Sequence, residues 1–322
     1  MVRCLITGIT GFSGSHLAEY CLNQGYEVFG LTRGRYHQYN FINHIKNQIT
    51  LIGGDLSDFN SMRKLLENSE PDIIFHLGAM TSVPISWRAP KLTIDSNTLG
   101  TLNLLESIRK SKYNPKILNI GTSEEYGLVY PNEVPIKEEN PLRPLSPYAV
   151  SKIASDLLGY QYHQSYGLKI IRVRPFNIVG TRGGREIVTA EFAYQLIEIE
   201  NGIRNSYIRV GNLNSIRDFN DVRDIIRAYD LAIKKCDYGT VYNICSQSGI
   251  TIRELLNKMI SLSYVINKKK IRIEGEDKRM RPSDVENLIG DSTKFRKKTG
   301  WKPEISLEKS LQDVIEYWRE HA

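Results

Sequence analysis

The chain predicts an α/β fold: a doubly wound parallel sheet with a smaller mixed α/β lobe. Three observations predict it. Short β-prone runs alternate with longer helical patterns through the first half. Those runs are nearly continuous in apolar residues, as strands covered on both faces require. The alternation then breaks after Pro175.

Taken in order, "RCLITG" is a strand, "SGSHLAEYCLNQG" a helix and "EVFGLT" a strand. "ITLIGGD", "SMRKLLENS" and "DIIFHLGA" repeat that unit, and "NTLGTLNLLESIRKS" is helical before the strand "KILNIG". "SPYAVSKIASDLLGYQYHQSYG" is a long helix followed by the strand "LKIIRVRP". Beyond Pro175, "NIVGTRGGREIVT" reads as loop, "AEFAYQLIEIE" as helix and "SYIRVGN" as a short strand. "DVRDIIRAYDLAIKK" and "TVYNIC" read as a helix and a strand returning to the main sheet. Residues 1–175, with return segments at about 218–245, then form one unit, and 176–217 with 246–322 form the lobe. Such a lobe closes over the carboxyl ends of the strands, where open α/β sheets bind ligands.

Composition removes several classes of function. With 41% hydrophobic and 25% charged residues, the 322-residue chain is ordinary globular material. No apolar stretch approaches the roughly 20 residues of a membrane span. "VRCLITG" begins the first strand at once, with no room for a leader, so a cytoplasmic protein is expected. Cys4, Cys21, Cys236 and Cys245 have no metal or redox spacing and read as reduced, buried thiols. No His, Cys or carboxylate cluster suggests a metal. The net charge of +7 comes from dispersed basic residues, apart from "NKKKIR" at 267–272 and "FRKK" at 295–298. Aromatics do not interleave with those runs, so they read as solvated surface and not as a nucleic-acid groove.

"TGITGFSG" puts Gly8, Gly11 and Gly14 directly after the first strand and at the start of a helix. Glycine allows a tight turn and close backbone approach, and the helix N-terminus offers N–H groups to a pyrophosphate. This is a Rossmann-type dinucleotide site. At the end of the second strand, "GLTRGR" offers Arg33 and Arg35 where NAD binders carry an acid. Arginine pairs with a 2′-phosphate, so NADP is favoured over the alternative, NAD. Asp55 in "GGDLSD" suits an adenine-side contact and equally a helix N-terminus.

"SPYAVSK" sets Tyr148 and Lys152 one turn apart on one helix face, with Ser146 as N-cap and Pro147 in the first turn. The pair also arises by chance in many helices; after a dinucleotide-binding half it reads as functional. A cation so close favours the phenolate, bringing Tyr148 nearer to neutral pH.

These motifs, with "HLGA" at 76–79 and "NTLGT" at 97–101, resemble the extended short-chain dehydrogenases/reductases over nearly the whole chain. Within them, "GTSEEYG", "LRPLSPYAVSK", "FNIVGTRGGREIVT", "VGNLNSIRDFNDVRDII" and "RPSDVENLIGDSTKFRKKTGWKP" resemble the GDP-sugar branch. That branch holds GDP-mannose 4,6-dehydratase and the related GDP-4-keto-6-deoxymannose reductase. The resemblance implies Thr122, Glu124, Tyr148 and Lys152 as the catalytic set. It implies cofactor contacts from Gly8, Thr10, Gly11, Phe12, Ser13, Gly14, Arg33, Asp55, Leu56, Leu77 and Ala79, besides Tyr148 and Lys152. Asn177, Val188, Gly211, Asn212, Arg217 and Arg281 fall where the branch binds the nucleotide diphosphate. Ser82, Ser86 and Arg88 in "TSVPISWR" line the sugar pocket or merely cap a turn. The chain departs from the mannose dehydratase pattern at Ala190-Glu191, where that pattern is basic, so GDP-mannose, a GDP-heptose and GDP-N-acetylglucosamine all stay open.

The implied reaction is a 4,6-dehydration by internal hydride transfer from carbon 4 to carbon 6. Tyr148 takes the 4-hydroxyl proton, Thr122 orients the same oxygen, Glu124 is the carbon 5 base and Lys152 holds the ribose. Glu125 reads as a surface acid with a scaffold role, since adjacent side chains on extended backbone diverge. His76 reads as structural. The alternatives are a 4-keto reductase, which needs no carbon 5 base, and a non-catalytic NAD(P)-sensing protein on the same fold. The resemblance also implies a homodimer or homotetramer.

Overall fold

The computed structural model describes residues 1–33, 41–280 and 282–322. β1 (Arg3–Thr7) leads into α1 (Phe12–Asn23) and β2 (Glu27–Thr32); β3 (Thr50–Gly53), α2 (Phe59–Ser69) and β4 (Ile73–His76) repeat the unit. Two short helices then appear where the sequence announced none, α3 (Val83–Arg88) and α4 (Pro90–Ile94). Each carries a proline in its first turn, which suits a start better than an interior. α5 (Gly100–Arg109), β5 (Lys116–Ile120), α6 (Pro147–Tyr166) and β6 (Ile170–Pro175) complete the first half.

The second half runs β7 (Asn177–Val179), α7 (Val188–Glu200), β8 (Tyr207–Val210), β9 (Ile216–Asp221), α8 (Val222–Lys235) and β10 (Val241–Ile244). β11 (Gly249–Thr251), α9 (Ile252–Leu262), β12 (Arg272–Gly275), β13 (Asn287–Leu288), α10 (Thr293–Thr299) and α11 (Leu307–His321) close the chain. β7 lies inside the stretch that reads as loop. Three residues are too few for a periodicity, and only pairing with β9 makes them a strand.

The main sheet has seven strands in the order β3-β2-β1-β4-β5-β6-β10, all neighbours parallel. β10 lies beside β6, so "TVYNIC" does return to the main sheet. Successive β1 residues feed opposite faces: Cys4 and Ile6 join the core against α1 and α8, and Leu5 the core against α2 and α5. Strand order reverses between β1 and β4, the switch point where such sheets open a crevice.

In the lobe, β9 is the hub. It pairs with β11, β13 and β7, and β8 pairs separately with β12. Phe192, Leu196, Leu255, Leu256 and Leu311 make the lobe's core. The C-terminal part is shared between the two halves, because Phe295 and Trp301 pack into the main-sheet core. The Trp301 indole N–H also donates to the Asp224 carbonyl at 3.0 Å.

Candidate active site

A cavity of about 1020 Å³ opens along the carboxyl ends of the main-sheet strands and is walled on its far side by the lobe. At the switch point Gly8 has φ 76°, and a Cβ there would lie 2.9 Å from the Gly78 nitrogen. The turns after β1 and β4 therefore meet backbone to backbone, an approach open only to glycine. α1 starts at Gly11 with no side-chain cap, so its first-turn N–H groups present an anion cradle.

A buried hydrogen-bond chain holds these turns together. The Gly78 N–H donates to Thr7 Oγ1 at 2.9 Å, and Thr7 Oγ1 meets His76 Nδ1 at 2.9 Å. His76 Nε2 meets Thr101 Oγ1 at 3.0 Å, and that hydroxyl donates to the Asn97 carbonyl at 2.7 Å. Since Thr101 spends its proton on Asn97, His76 must donate from Nε2 and accept at Nδ1 from Thr7. The ring is neutral: burial, seconded by the Lys152 charge, lowers it to about 3. His76 is structural, as the sequence suggested.

β5 delivers "GTSEEYG" to the cavity. Thr122 caps a 3₁₀ turn over Ser123–Glu125, accepting the Glu124 N–H at 3.3 Å. Thr122 and Glu124 are half-buried and line the cavity. Glu125 overturns the surface-acid expectation: it is fully buried, accepts the Thr122 N–H at 2.9 Å and pairs with Arg174 at 2.8 Å. The reason is the tight turn, which sends the third residue's carboxylate back under the loop, where extended backbone would have sent it outward.

On α6, Ser146 accepts the Ala149 N–H at 3.1 Å and Pro147 occupies the first turn, as expected. Tyr148 and Lys152 are both buried and both line the cavity. The expected shift of Tyr148 toward neutrality is not found. Burial pushes its phenol up and the Glu124 and Glu125 charges add to that, while the Thr122 hydroxyl opposes. Lys152 is turned instead to the Ile120 carbonyl, and burial lowers its own pKa against the pull of Glu125 and Asp156.

Of the other expected cofactor contacts, Thr10, Gly11, Phe12, Ser13, Gly14, Arg33, Asp55, Leu56, Leu77 and Ala79 all line this cavity with Gly8. Asp55 accepts both the backbone N–H and the hydroxyl of Ser57 at 2.8 Å, so its turn role is occupied. Arg35 and Arg281 lie outside the described residues. On the sugar side Ser82 and Arg88 line the cavity, and Ser82 also caps α3 through the Ile85 N–H. Ser86 is absent from the wall: it is buried, and its hydroxyl donates to the Val83 carbonyl at 2.7 Å.

Asn177, Val188, Gly211, Asn212 and Arg217 wall the lobe side. Asn177 Oδ1 is buried with no hydrogen-bond partner among the described residues, an acceptor suited to a ligand donor. Arg217 donates to Asp284 at 2.9 Å, as Asn212 does at 3.0 Å, so this cation arrives already paired. A Cβ on Gly211 would meet the Arg279 carbonyl at 2.7 Å, which explains glycine where β8 ends against the segment after β12.

Residues 5–314 match the family model described as GDP-mannose 4,6 dehydratase. The chain belongs to that family. This GDP-mannose 4,6-dehydratase family member is 31% identical over 350 residues to GDP-mannose 4,6-dehydratase of Yersinia enterocolitica, covering 98% of this chain and 93% of that protein. It is 32% identical over 316 residues to GDP-6-deoxy-D-mannose reductase of Pseudomonas aeruginosa, covering 98% and 97%. Among solved structures it resembles RMD from Pseudomonas aeruginosa complexed with NADPH, with TM-score 0.85, 30% identity and the whole of both chains covered. It is an NAD(P)-dependent enzyme of the hydro-lyase family on the extended short-chain dehydrogenase/reductase fold.

The cavity of this GDP-mannose 4,6-dehydratase family member also takes in residues the sequence did not single out. Arg185, Arg209, Lys278 and Arg279 add positive charge to the lobe side, while Arg182 pairs with Glu19 of α1 at 2.6 Å. The signal was present in "TRGGRE" and "EDKRM", but charge in a loop becomes a site only once folding brings the loops together. Glu191, noted as a departure, is buried between Arg185 and Arg279 at 2.9 Å from each.

Proposed function

We propose that this chain is a GDP-sugar 4,6-dehydratase that converts a GDP-hexose to its 4-keto-6-deoxy product. One observation carries the reading. Glu124 stands in the cavity wall on the same turn as Thr122, near enough to Tyr148 for its charge to raise the phenol. Reducing a ketone needs no such base, whereas eliminating water does.

The glycine cradle after β1 fits a dinucleotide, and the chemistry a bound nicotinamide supplies is reversible hydride uptake. Tyr148 Oη exchanges the proton of the sugar 4-hydroxyl, and Thr122 Oγ1 hydrogen-bonds the same oxygen. A ketone at carbon 4 acidifies the carbon 5 hydrogen, and Glu124 takes that proton. The carboxyl then passes it to the hydroxyl departing from carbon 6, so that water leaves. The hydride removed from carbon 4 is returned to carbon 6 while carbon 5 regains a proton from solvent, which gives the 4-keto-6-deoxy product. Lys152, which donates to the Ile120 carbonyl, would hold the ribose of a bound dinucleotide. Groups of this kind contribute about 10²–10⁴-fold each.

The arginines and Lys278 of the lobe side support an anionic diphosphate partner, and the relatives' names support GDP. GDP-mannose, a GDP-heptose and GDP-N-acetylglucosamine are the substrates to try. Arg33 in the cavity wall supports NADP. Val150, Leu157 and Tyr160 of α6 and Leu92 of α4 are exposed apolar residues on two packed helices, which supports self-association as a homodimer. Four free, buried cysteines suit a reducing cytoplasm.

A second reading, the 4-keto reductase, is favoured by the raised phenol of Tyr148, since a protonated tyrosine is ready to donate to a ketone. Purified protein incubated with each GDP-sugar and no reductant separates the two. A 4-keto-6-deoxy product without net cofactor use is the expected result. No product until NADPH and a keto-sugar are added would replace the dehydratase reading with the reductase.

A further inference from the structure

Beneath the loop that carries Thr122 and Glu124 lies a buried charge cluster that none of these steps uses. Glu125 is its centre. One carboxylate oxygen accepts the Thr122 N–H at 2.9 Å, and the other accepts Arg174 Nε at 2.8 Å. From β6, Arg174 continues to Asp156 of α6 at 2.7 Å and to the Tyr126 hydroxyl at 3.1 Å. Arg172 joins the same Asp156 oxygen at 3.0 Å, and Tyr126 donates to Asn243 of β10 at 2.7 Å. The cluster thus spans β6, β10, α6 and the underside of the loop. Gly121 makes room for it, since a Cβ there would collide with the Glu125 carboxylate and lie 3.0 Å from the Val173 carbonyl.

Buried ion pairs are weak evidence for stability, because desolvation offsets most of the attraction. What a carboxylate does here that an apolar side chain cannot is accept from a loop amide and a strand guanidinium at once. We propose that Glu125 is a positioning residue: it ties the Thr122 N–H to Arg174 and so fixes how the Thr122 hydroxyl and the Glu124 carboxyl enter the cavity. The functional half of this rests on the roles proposed above for Thr122 and Glu124; the tie itself does not.

Burial, seconded by the Asp156 charge, pushes Glu125 up to about 7 against Arg174 and Lys152. The groups facing it are Arg174 on β6, Asp156, Lys152 and Tyr148 on α6, Tyr126 on its own loop, and Glu138, which raises Tyr126 from the following segment. Below neutrality a protonated Glu125 offers the Thr122 N–H a weaker acceptor, and the loop loosens.

The test compares Glu125→Gln with Asp156→Asn. Glutamine keeps the volume but must set an NH₂ against either Thr122 N–H or Arg174. Expected in Glu125→Gln is faster amide hydrogen exchange, by about tenfold or more, in the peptide covering 121–127. With it goes a kcat lowered about 10–100-fold, as small misplacements of reacting groups produce. KM stays within about threefold, and the acid limb of kcat near neutrality disappears. Asp156→Asn, which leaves the Thr122 bond in place, keeps wild-type loop exchange. If Glu125→Gln does not fold, Glu125→Gln with Arg174→Met removes both charges and exposes the loop to the same measurement. Wild-type loop exchange in the folded variant, or equal loosening in Asp156→Asn, overturns the proposal. Exchange is read without substrate, so a wild type that dehydrates no GDP-sugar sinks the reading of Glu124 and leaves the tie to be decided.

Discussion

Gly8→Ala puts a methyl group at the point where the two halves of the cofactor crevice touch. Two costs add there. Gly8 has φ 76°, and an L-residue in the left-handed region loses roughly 1–2 kcal/mol. The new Cβ would also lie 2.9 Å, 3.0 Å and 3.1 Å from Gly78 N, Gly78 Cα and Leu77 C, where ordinary contact starts at 3.4 Å. Those neighbours are backbone and cannot rotate away, so the turn after β4 must retreat by about half an ångström, the kind of overpacking that costs about 1–3 kcal/mol. Gly25→Ala is the matched control. It has the same φ of 76° with nothing within 4 Å of its added Cβ, so it carries the backbone cost alone. Urea unfolding should therefore find Gly8→Ala less stable than Gly25→Ala by about 1–3 kcal/mol. Fluorescence titration should find NADP(H) bound at least about tenfold more weakly by Gly8→Ala, the equivalent of about 1.4 kcal/mol. Equal losses of stability in the two variants, or unchanged cofactor affinity in Gly8→Ala, would refute the close-approach reasoning.

Glu124→Gln should lower dehydration by about 10²–10⁴-fold and stop solvent deuterium entering carbon 5, with cofactor affinity intact; undiminished deuterium uptake removes Glu124 as the base. Arg33→Ala should weaken NADP(H) binding while leaving NAD(H) affinity within about twofold, and equal losses for both would show that Arg33 does not read a 2′-phosphate. His76, held neutral down to about 3 against 6.5 when unfolded, contributes stability that is complete above 6.5 and drains as pH falls. Between pH 6.5 and 5 the loss is about 1.6 kcal/mol. Urea melts of His76→Asn at those two pH values should show a gap smaller by that amount, and an unchanged gap assigns the acid sensitivity elsewhere.

The main sheet was legible because its strands are buried on both faces and announce themselves as apolar runs, and because Gly8, Gly11 and Gly14 need a strand before them and a helix after. The capped start of α6 was legible too, since Ser146 and Pro147 act through bonds within four residues. β7 was not, because its existence depends on β9 almost forty residues later. The two glutamates show the limit most clearly. "SEE" contains no mark that separates a cavity carboxyl from a fully buried one; Arg174, on a strand some fifty residues on, decides it. Tyr148 is the converse case. The helix spacing of Lys152 was read correctly, but its ammonium is engaged by the Ile120 carbonyl, and burial governs the phenol.

Glu191 gives the lobe side of the cleft its own counter-ion. With Arg185 and Arg279 each 2.9 Å from one carboxylate, an incoming diphosphate does not meet bare guanidinium groups; it takes part in an exchange. Loose anions such as inorganic phosphate must compete with a tethered partner, while a ligand anchored elsewhere along the cavity wins the exchange through its other contacts. If the proposed sugar nucleotide binds here, its selectivity over a fragment would be set by a residue that repels the fragment. The salt dependence of nucleotide affinity should be shallower in this chain than in Glu191→Gln, where Arg279 keeps Glu276 at 2.6 Å but Arg185 loses its carboxylate and would shed a solution anion on binding.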